Sequence, residues 1–248
     1  MSDRTLYLAW QDKKNARGWY PVGRLDTDSK ARYQFCYIHG AEVAQKETGF
    51  EPLLDFPKLN QRYTSSTLFP LFQNRVLTSD RKDFADYLRL LDMEDNPDPI
   101  EILSVDGGYR ATDNFEVFPK IKKNHKDGLF HCRFFLHGLS HVNTDAEKKL
   151  LQLRNNDKLI VTVELTNPAT GLAIQIQTLD YHMLGWAPRY LVEPLISAIN
   201  TAPGRCEAKL VQLNLMPAPS KQRALIELKA IWPDSDCFMN KGLFRPLC

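Results

Sequence analysis

Aromatic and cationic side chains lie close together at several points of this sequence, and together they offer the chemistry that single-stranded nucleic acid requires. Aromatic rings stack on bases, while Lys and Arg follow the phosphates. The candidates are Arg133, Phe134, Trp186, Arg189 and Tyr190, with Lys122 and Lys123 nearby in the sequence. The sequence therefore predicts a base-stacking surface flanked by cations in the second half of the chain.

A structural role is the alternative for the same rings. Phe134 and Phe135 are adjacent in a strand-like segment, so they point to opposite faces and at least one of them belongs to the core. Trp186 stands two residues before Pro188 and could close the end of a barrel instead of stacking on a base. Both interpretations stay open at this point.

Metal and cofactor sites are not indicated. The histidines at 131, 137, 141 and 182 suggest a metal, but two of them alternate along one strand and no Cys or acid completes a set. The cysteines at 36, 132, 206, 237 and 248 show no CxxC or CxxH spacing, so neither zinc nor a disulfide framework is signalled. Free cysteines are typical of a reducing compartment. We expect no metal and no cofactor.

Motifs for catalysis are not visible in the sequence. There is no Ser/His/Asp arrangement with a nucleophile elbow and no GxxxxGK[ST] phosphate loop. Gly107 and Gly108 could cradle an anion, although a turn that needs a positive φ explains them more simply. We therefore expect a protein that is not an enzyme. In particular, the sequence shows no assembled site for a hydrolase.

Composition and charge set the class of protein. With 248 residues, 43% hydrophobic and 25% charged, the chain fits one large or two ordinary globular domains, not a disordered or fibrous protein. Residues 1–119 carry a formal charge of −4 and residues 120–248 a charge of +6. The basic half hints at an anionic partner, or is ordinary surface. Without an apolar run of about 18 residues or a secretory signal, we expect a soluble, cytoplasmic protein with no membrane partner.

The elements that would position these residues are read from apolar periodicity. In the second half, strands are predicted over 130–139, 158–165, 172–177, 207–215 and 223–232, and helices over 145–151 and 189–199. In the first half, strands are predicted over 19–25, 33–38 and 112–118. Helical turns are predicted over 40–47, over 68–72 with an interruption at Pro70, and over 81–91 with Asp80 as cap.

These patterns indicate an α+β protein of two domains. Residues 1–119 form a small sheet-plus-helix domain, residues 120–128 are a polar, basic linker, and residues 129–248 form a small β-barrel or sandwich.

The second half resembles the HIRAN domain over about residues 129–233. The resemblance rests on the segments 133–135, 164–168, 173–174 and 184–191. It implies an OB-like β-barrel with one or two helices that binds single-stranded DNA or DNA ends, with Asn167 at the binding loop. The DNA-end binders of this family carry an aromatic residue and then an Asp after Asn-Pro, whereas Ala169 and Thr170 stand here. The clamp for a 3′-hydroxyl is therefore expected to be missing.

The first half is similar to the N-terminal subdomain of HipA-type toxin kinases over about residues 19–92. The similarity rests on the segments 22–25, 33–37, 52–57 and 68–75. A kinase core does not fit in the rest of the chain, so the resemblance implies an accessory module that binds a protein partner. It also implies a bacterial setting in DNA transactions, phage defence or toxin–antitoxin control. The resulting hypothesis is a DNA-binding adaptor; the alternative is a protein-interaction or antitoxin-like module that does not bind DNA.

Overall fold

Two antiparallel sheets and six α-helices make up the part of the chain that the computed structural model describes, namely residues 4–12, 18–28, 32–94, 96–232 and 239–248. The α+β prediction is confirmed at this level. In chain order the elements are β1 (Arg4–Gln11), β2 (Trp19–Thr27), β3 (Tyr33–Tyr37), α1 (His39–Thr48), β4 (Tyr63–Ser65), α2 (Pro70–Gln73), α3 (Phe84–Leu90), α4 (Pro99–Asp106), β5 (Phe115–Pro119), β6 (Leu129–Phe135), α5 (Thr144–Gln152), β7 (Lys158–Asn167), β8 (Gly171–Gln177), β9 (Met183–Trp186), α6 (Val192–Thr201), β10 (Cys206–Leu213) and β11 (Ala224–Ile231).

The chain divides into two compact units. The first consists of Met1–Arg81, Asn96–Lys120 and Asp236–Cys248, and the second of Lys82–Asp95 and Ile121–Ser235. This grouping differs from the division at 119 and 129 in two segments, because α3 belongs with the second unit and the last residues belong with the first. Residues 120–128 contain an Asn124–Asp127 turn whose two side chains accept backbone N–H bonds. Whether each unit folds alone remains a prediction.

The first unit is built on a five-stranded sheet in the order β4-β3-β2-β1-β5. One face buries aliphatic and aromatic side chains against α1, α4 and the loop that follows α1. The members of this core include Leu6, Leu8, Leu25, Phe35, Tyr37, Phe56, Phe72, Ile100 and Leu103. On the opposite face, Tyr7 contacts Phe244 at 4.8 Å between ring centroids, so residues near the C-terminus cover that face.

Two helix predictions in this half need correction. The segment predicted to be interrupted at Pro70 instead begins its helix there, because a proline at the first helical position lacks only an N–H that has no partner in the helix. The helix predicted from Arg81 begins at Phe84, with Asp83 as the preceding residue in place of Asp80. Gly107 and Gly108 have φ values of 75° and 58°, which confirms the turn interpretation of that pair.

The second unit is built on a six-stranded sheet in the order β6-β11-β10-β7-β8-β9. The core strands bury Phe130, Phe134, Ile174, Ile176 and Leu210. α6 packs against this sheet with Leu195 and Ala198 buried. α3 is fixed to the unit by the Asn214 amide, which donates to the carbonyl of Leu90 at 2.9 Å. No helix among the described residues is long and apolar enough to cross a membrane.

Candidate nucleic-acid interface

The solvent-facing side of β7, β8 and β9 carries a row of polar side chains with one indole. On β8 the side chains of Ile174 and Ile176 are fully buried, whereas Gln175 and Gln177 lie on the opposite face. Gln175 is the register partner of Trp186 on β9. Because side chains of paired residues share a face, the indole lies on the polar side of the sheet.

Trp186 is held on two sides. Its Nε1 donates a 2.6 Å hydrogen bond to Oε2 of Glu164. Its six-membered ring covers Gly138, where a Cβ would lie only 2.4 Å from Cε3 of the indole. Gly138 also has a φ of 73°, so a glycine is required there both by conformation and by space. The ring is partly exposed and has no aromatic partner among the described residues.

Glu164 is the centre of the hydrogen bonds at this place. Its Oε2 accepts from Nδ2 of Asn167 at 3.0 Å as well as from the indole. Burial raises the pKa of Glu164, but hydrogen bonds from Asn167, Trp186 and Gln175 outweigh that effect and place the pKa below its ordinary value. The carboxylate is therefore ionised at neutral pH and fixes the orientation of the indole.

Asn167 also organises the turn between β7 and β8. Its Oδ1 accepts from the backbone N–H groups of Ala169 and Thr170, at 3.0 and 3.1 Å, and from the Thr170 hydroxyl at 3.0 Å. The amide thus joins the turn to Glu164. Within this turn the Thr170 hydroxyl is used internally, and Ala169 offers no polar group to a ligand.

Arg189 lies at the same edge of the sheet. Its guanidinium donates to the carbonyl of Leu172 on β8 at 2.8 Å, and the side chain remains exposed. Trp186 faces Gln175 and Arg189 reaches Leu172, so the two contact β8 three residues apart, roughly 10 Å along a strand. Tyr190 follows in the short 3₁₀ turn and is partly buried.

Two of the residues expected at the interface have other roles. Phe134 is 2% exposed and Phe135 5%, so both rings belong to the core and neither presents a face to a base. Arg133 lies on the face of β6 opposite to Phe134 and forms an ion pair with Asp92, which follows α3. Phe134 is accordingly removed from the candidate site, and Arg133 is already neutralised by a carboxylate.

Lys122 and Lys123 are exposed on the segment that leads into β6. Lys123 pairs through its backbone with Phe130 as an isolated β-bridge. They remain surface cations of the second unit, without a described contact to Trp186 or Arg189.

Glu164, Gln175 and Gly138 are functional candidates that only the structure brings to the indole. The alternation Thr162-Val163-Glu164 on β7 and Ile174-Gln175-Ile176 on β8 places both polar residues on the outer face, a signal that was available. Nothing in the sequence predicts that Gly138 supports the indole. Among the described residues, no group of three His, Cys, Asp or Glu side chains is arranged to hold a metal ion.

Comparisons with known proteins give little for this chain. No family model matches it, and no curated protein matches it. A crystal structure of a Lactobacillus plantarum protein from a structural genomics consortium is similar with 22% identity and a TM-score of 0.33. The match covers 42% of this chain and 97% of that one. Similarity at this level supports no argument about fold or function.

Proposed function

We propose that the second unit is an OB-like, HIRAN-type barrel that binds single-stranded DNA across the outer face of β7–β9, with Trp186 as the stacking residue. The observation that carries the proposal is the partly exposed indole, fixed by Glu164 on one edge and supported by Gly138 below. OB-folds bind oligonucleotides on the corresponding face of their second and third strands. If the second unit is such a fold, the corresponding strands are β7 and β8.

A contact between the two edges of the sheet supports the barrel. His137 follows β6, one edge strand, and exchanges two backbone hydrogen bonds with Trp186 of β9, the other edge strand, at 2.9 and 3.0 Å. Gly185 permits this approach, since a Cβ there would lie 2.6 Å from the His137 carbonyl oxygen. A sheet whose edges meet has fewer unpaired backbone groups, which is the advantage of a barrel.

Charged side chains near the indole bear on where the phosphates of a bound strand would lie. The Glu164 carboxylate lies at the nitrogen edge of the indole and repels phosphate there. Arg189 is an exposed cation that reaches the carbonyl of Leu172, next to Ala173, the register partner of Glu164. We expect the phosphates of a strand stacked on Trp186 to be bound by Arg189, while Gln175 and Gln177, which bond to each other at 2.8 Å, lie on the same face as the indole.

The test is salt-dependent binding of labelled single-stranded oligonucleotides to the wild type, Trp186→Ala and Trp186→Phe. Base–aromatic stacking is worth roughly 1–3 kcal/mol, so Trp186→Ala should lose about tenfold or more in affinity and Trp186→Phe much less. The matched control is Tyr181→Ala, which removes a 76% exposed ring from the turn after β8. Equal affinities for wild type and Trp186→Ala would refute the proposed interface.

The first unit is assigned the adaptor role, a HipA-N-like module that recruits a protein partner. This part of the proposal rests on the sequence resemblance alone, as does the bacterial setting in phage defence or toxin–antitoxin control. The proposed function is not enzymatic and requires no cofactor. A pull-down that compares the intact chain with Leu54→Asp, a change at a 98% exposed leucine, tests this part of the proposal, and equal recovery of the partner would place its binding surface elsewhere.

The alternative is a protein-interaction or antitoxin-like module without DNA binding. The observation that favours it is the apolar surface of the β7–β8 hairpin, where Leu165 is 73% and Leu172 37% exposed. Phosphate contacts make the logarithm of affinity fall with the logarithm of salt concentration, whereas an apolar protein contact strengthens or stays constant. The slope of binding against salt therefore separates the two functions.

A further inference from the structure

Residues near the C-terminus of the sequence extend the sheet of the first unit. The backbone N–H of Leu247 donates to the carbonyl of Tyr37 at 3.0 Å, and the N–H of His39 donates to the carbonyl of Arg245 at 2.8 Å. Between these two bonds, Ile38 and Pro246 form an antiparallel bridge. Residues 245–248 therefore run antiparallel to the end of β3 in a defined register.

This register places two cysteines opposite each other. Continuing from Ile38–Pro246 and Tyr37–Leu247, the next pair is Cys36–Cys248. Tyr37–Leu247 is hydrogen-bonded, so the pairs on either side of it are non-hydrogen-bonded, which suits Pro246 because it has no N–H. At such a position the Cα atoms are about 4.5 Å apart and the side chains are closest, within the range that disulfides require.

We propose that Cys36 and Cys248 form a reversible disulfide, with a low-molecular-weight disulfide such as glutathione disulfide as the oxidant. The Cys248 thiolate attacks one sulfur of glutathione disulfide, which forms a mixed disulfide and releases one glutathione thiolate. The Cys36 thiol loses its proton and displaces the second glutathione from Cys248. The two protein thiols are oxidised by two electrons, and one glutathione disulfide is reduced to two glutathiones.

The surroundings of the pair set the order of these steps. Cys36 is 6% exposed, whereas Cys248 is only partly buried and meets the oxidant first. A partly open cavity of about 280 Å³ leads to Cys36, lined by Arg24, Asp26, Gln34, Arg62 and Pro246. Arg24 is paired with Asp26, and Arg62 donates to the backbone carbonyl of Cys248 at 2.9 Å, which holds Cys248 at this cavity. Burial and the adjacent Cys248 raise the pKa of Cys36 to about 12; Asp26 raises it further and Arg24 lowers it. Because Cys36 must lose its proton before it displaces glutathione from Cys248, that displacement is the slow step.

The other described cysteines serve as internal controls. Cys132 on β6 and Cys206 on β10 are separated by β11, which pairs with both strands. Two strand spacings are about 9.6 Å, beyond the 7 Å limit between Cα atoms for a disulfide. Cys237 lies outside the described residues, so the experiment uses a Cys237→Ser background.

The test equilibrates the folded full-length chain with glutathione disulfide, quenches it in acid, alkylates the remaining thiols and maps the peptides by mass spectrometry. The expected result is a cross-link between the peptides that contain Cys36 and Cys248, with Cys132 and Cys206 alkylated. In Cys36→Ala and in Cys248→Ser the cross-link should be absent, and Cys36→Ala should retain glutathione on Cys248. The oxidised protein should also melt roughly 5 °C or more above the reduced one.

Complete alkylation of both Cys36 and Cys248 after equilibration would overturn the proposal, provided that the same reagent cross-links the chain in denaturant. If Cys36→Ala does not fold, Cys248→Ser still provides a variant without the cross-link, because Cys248 is the more exposed of the two cysteines and its replacement disturbs the core less. Cross-linking of Cys132 or Cys206 in the folded chain would equally contradict the register argument. None of these outcomes depends on DNA binding.

Discussion

Trp186 and Glu164 are 22 residues apart in the sequence and are joined by a 2.6 Å hydrogen bond from the indole nitrogen to the carboxylate. The same carboxylate receives the Asn167 amide, so one ionised group fixes both the turn between β7 and β8 and the ring on β9. The orientation of the indole is therefore tied to the charge of a single side chain.

The first prediction concerns that charge. Glu164→Gln should destabilise the β7–β9 region by about 1 kcal/mol, because hydrogen bonds to a charged acceptor become bonds to a neutral one at a partly exposed site. The pKa of Glu164 is lowered by folding, so its contribution is full above the ordinary glutamate pKa and disappears as the pH falls through the lower, folded value.

Hydrogen exchange of the β7 and β8 amides, measured at neutral pH and again in acid, checks the prediction. The wild type and Glu164→Gln should differ at neutral pH and converge in acid. Glu207→Gln, which changes an exposed glutamate on β10, serves as the control. A difference that grows on acidification would mean that the sign of the pKa shift is wrong.

The second prediction separates the two arginines. Arg189→Ala should reduce the slope of log affinity against log salt by about one, the value for one lost phosphate contact. Arg133→Ala should leave the slope unchanged, because Arg133 is paired with Asp92. Titrations of one oligonucleotide at four salt concentrations are sufficient. Equal losses in both variants would mean that the phosphate path includes β6 as well as Arg189, and that the ion pair with Asp92 does not withhold Arg133.

The third prediction concerns DNA ends. Oligonucleotides with a 3′-hydroxyl and a 3′-phosphate should bind about equally, because the Thr170 hydroxyl and the Asn167 amide bond to each other within the turn. Ala169→Tyr combined with Thr170→Asp should introduce a preference for the hydroxyl of roughly tenfold, the value of one charge-assisted hydrogen bond. Competition between the two oligonucleotides measures this. A wild type that already prefers the hydroxyl by about tenfold would show that other residues hold the end.

The fourth prediction concerns the buried arginine of the first unit. Arg75 is 6% exposed and donates to the carbonyl of Gly108 at 2.8 Å and to the Asp113 carboxylate. Arg75→Met should destabilise this unit by roughly 3 kcal/mol, since the Asp113 charge loses its partner in a partly buried place. Arg4→Ala breaks the exposed pair with Glu101 and should change stability by less than about 0.5 kcal/mol. Hydrogen exchange of the β1 and β2 amides should be faster in Arg75→Met than in the wild type and nearly unchanged in Arg4→Ala.

Local patterns predict five of the six strands that the structure describes in the second unit, and the short strand β9, which carries Trp186, is not among them. β7 and β8 follow from β-branched residues and strict alternation on either side of an Asn-Pro turn. β1, an interior strand of the first sheet, is absent from the predicted strands, although Leu6-Tyr7-Leu8-Ala9 is the continuous apolar run expected of a strand buried on both faces.

The residues of the candidate site also fall into those that the sequence indicates and those that depend on the fold. The indole and Arg189 are visible in the sequence as residue types, but the burial of Phe134 depends on its partner strand β11 and on the rest of the core. The pairing of Arg133 with Asp92 joins residues 41 positions apart. Contacts of this kind are fixed by the fold as a whole, and a single sequence carries no direct sign of them.

Residues 239–248 complete the first unit, and this has a consequence for biosynthesis. Tyr7 and Phe118 lie on the face that Phe244 covers, and the Tyr7 hydroxyl donates to the Met239 carbonyl. On the ribosome, residues 121–238 must be translated before that cover exists, which takes roughly 5–25 s at 5–20 residues per second. Throughout that interval the rings of Tyr7 and Phe118 lack the contact with Phe244 that they make in the folded chain. The first unit therefore completes its packing only after the second unit, which lies between its segments in the sequence, has been translated.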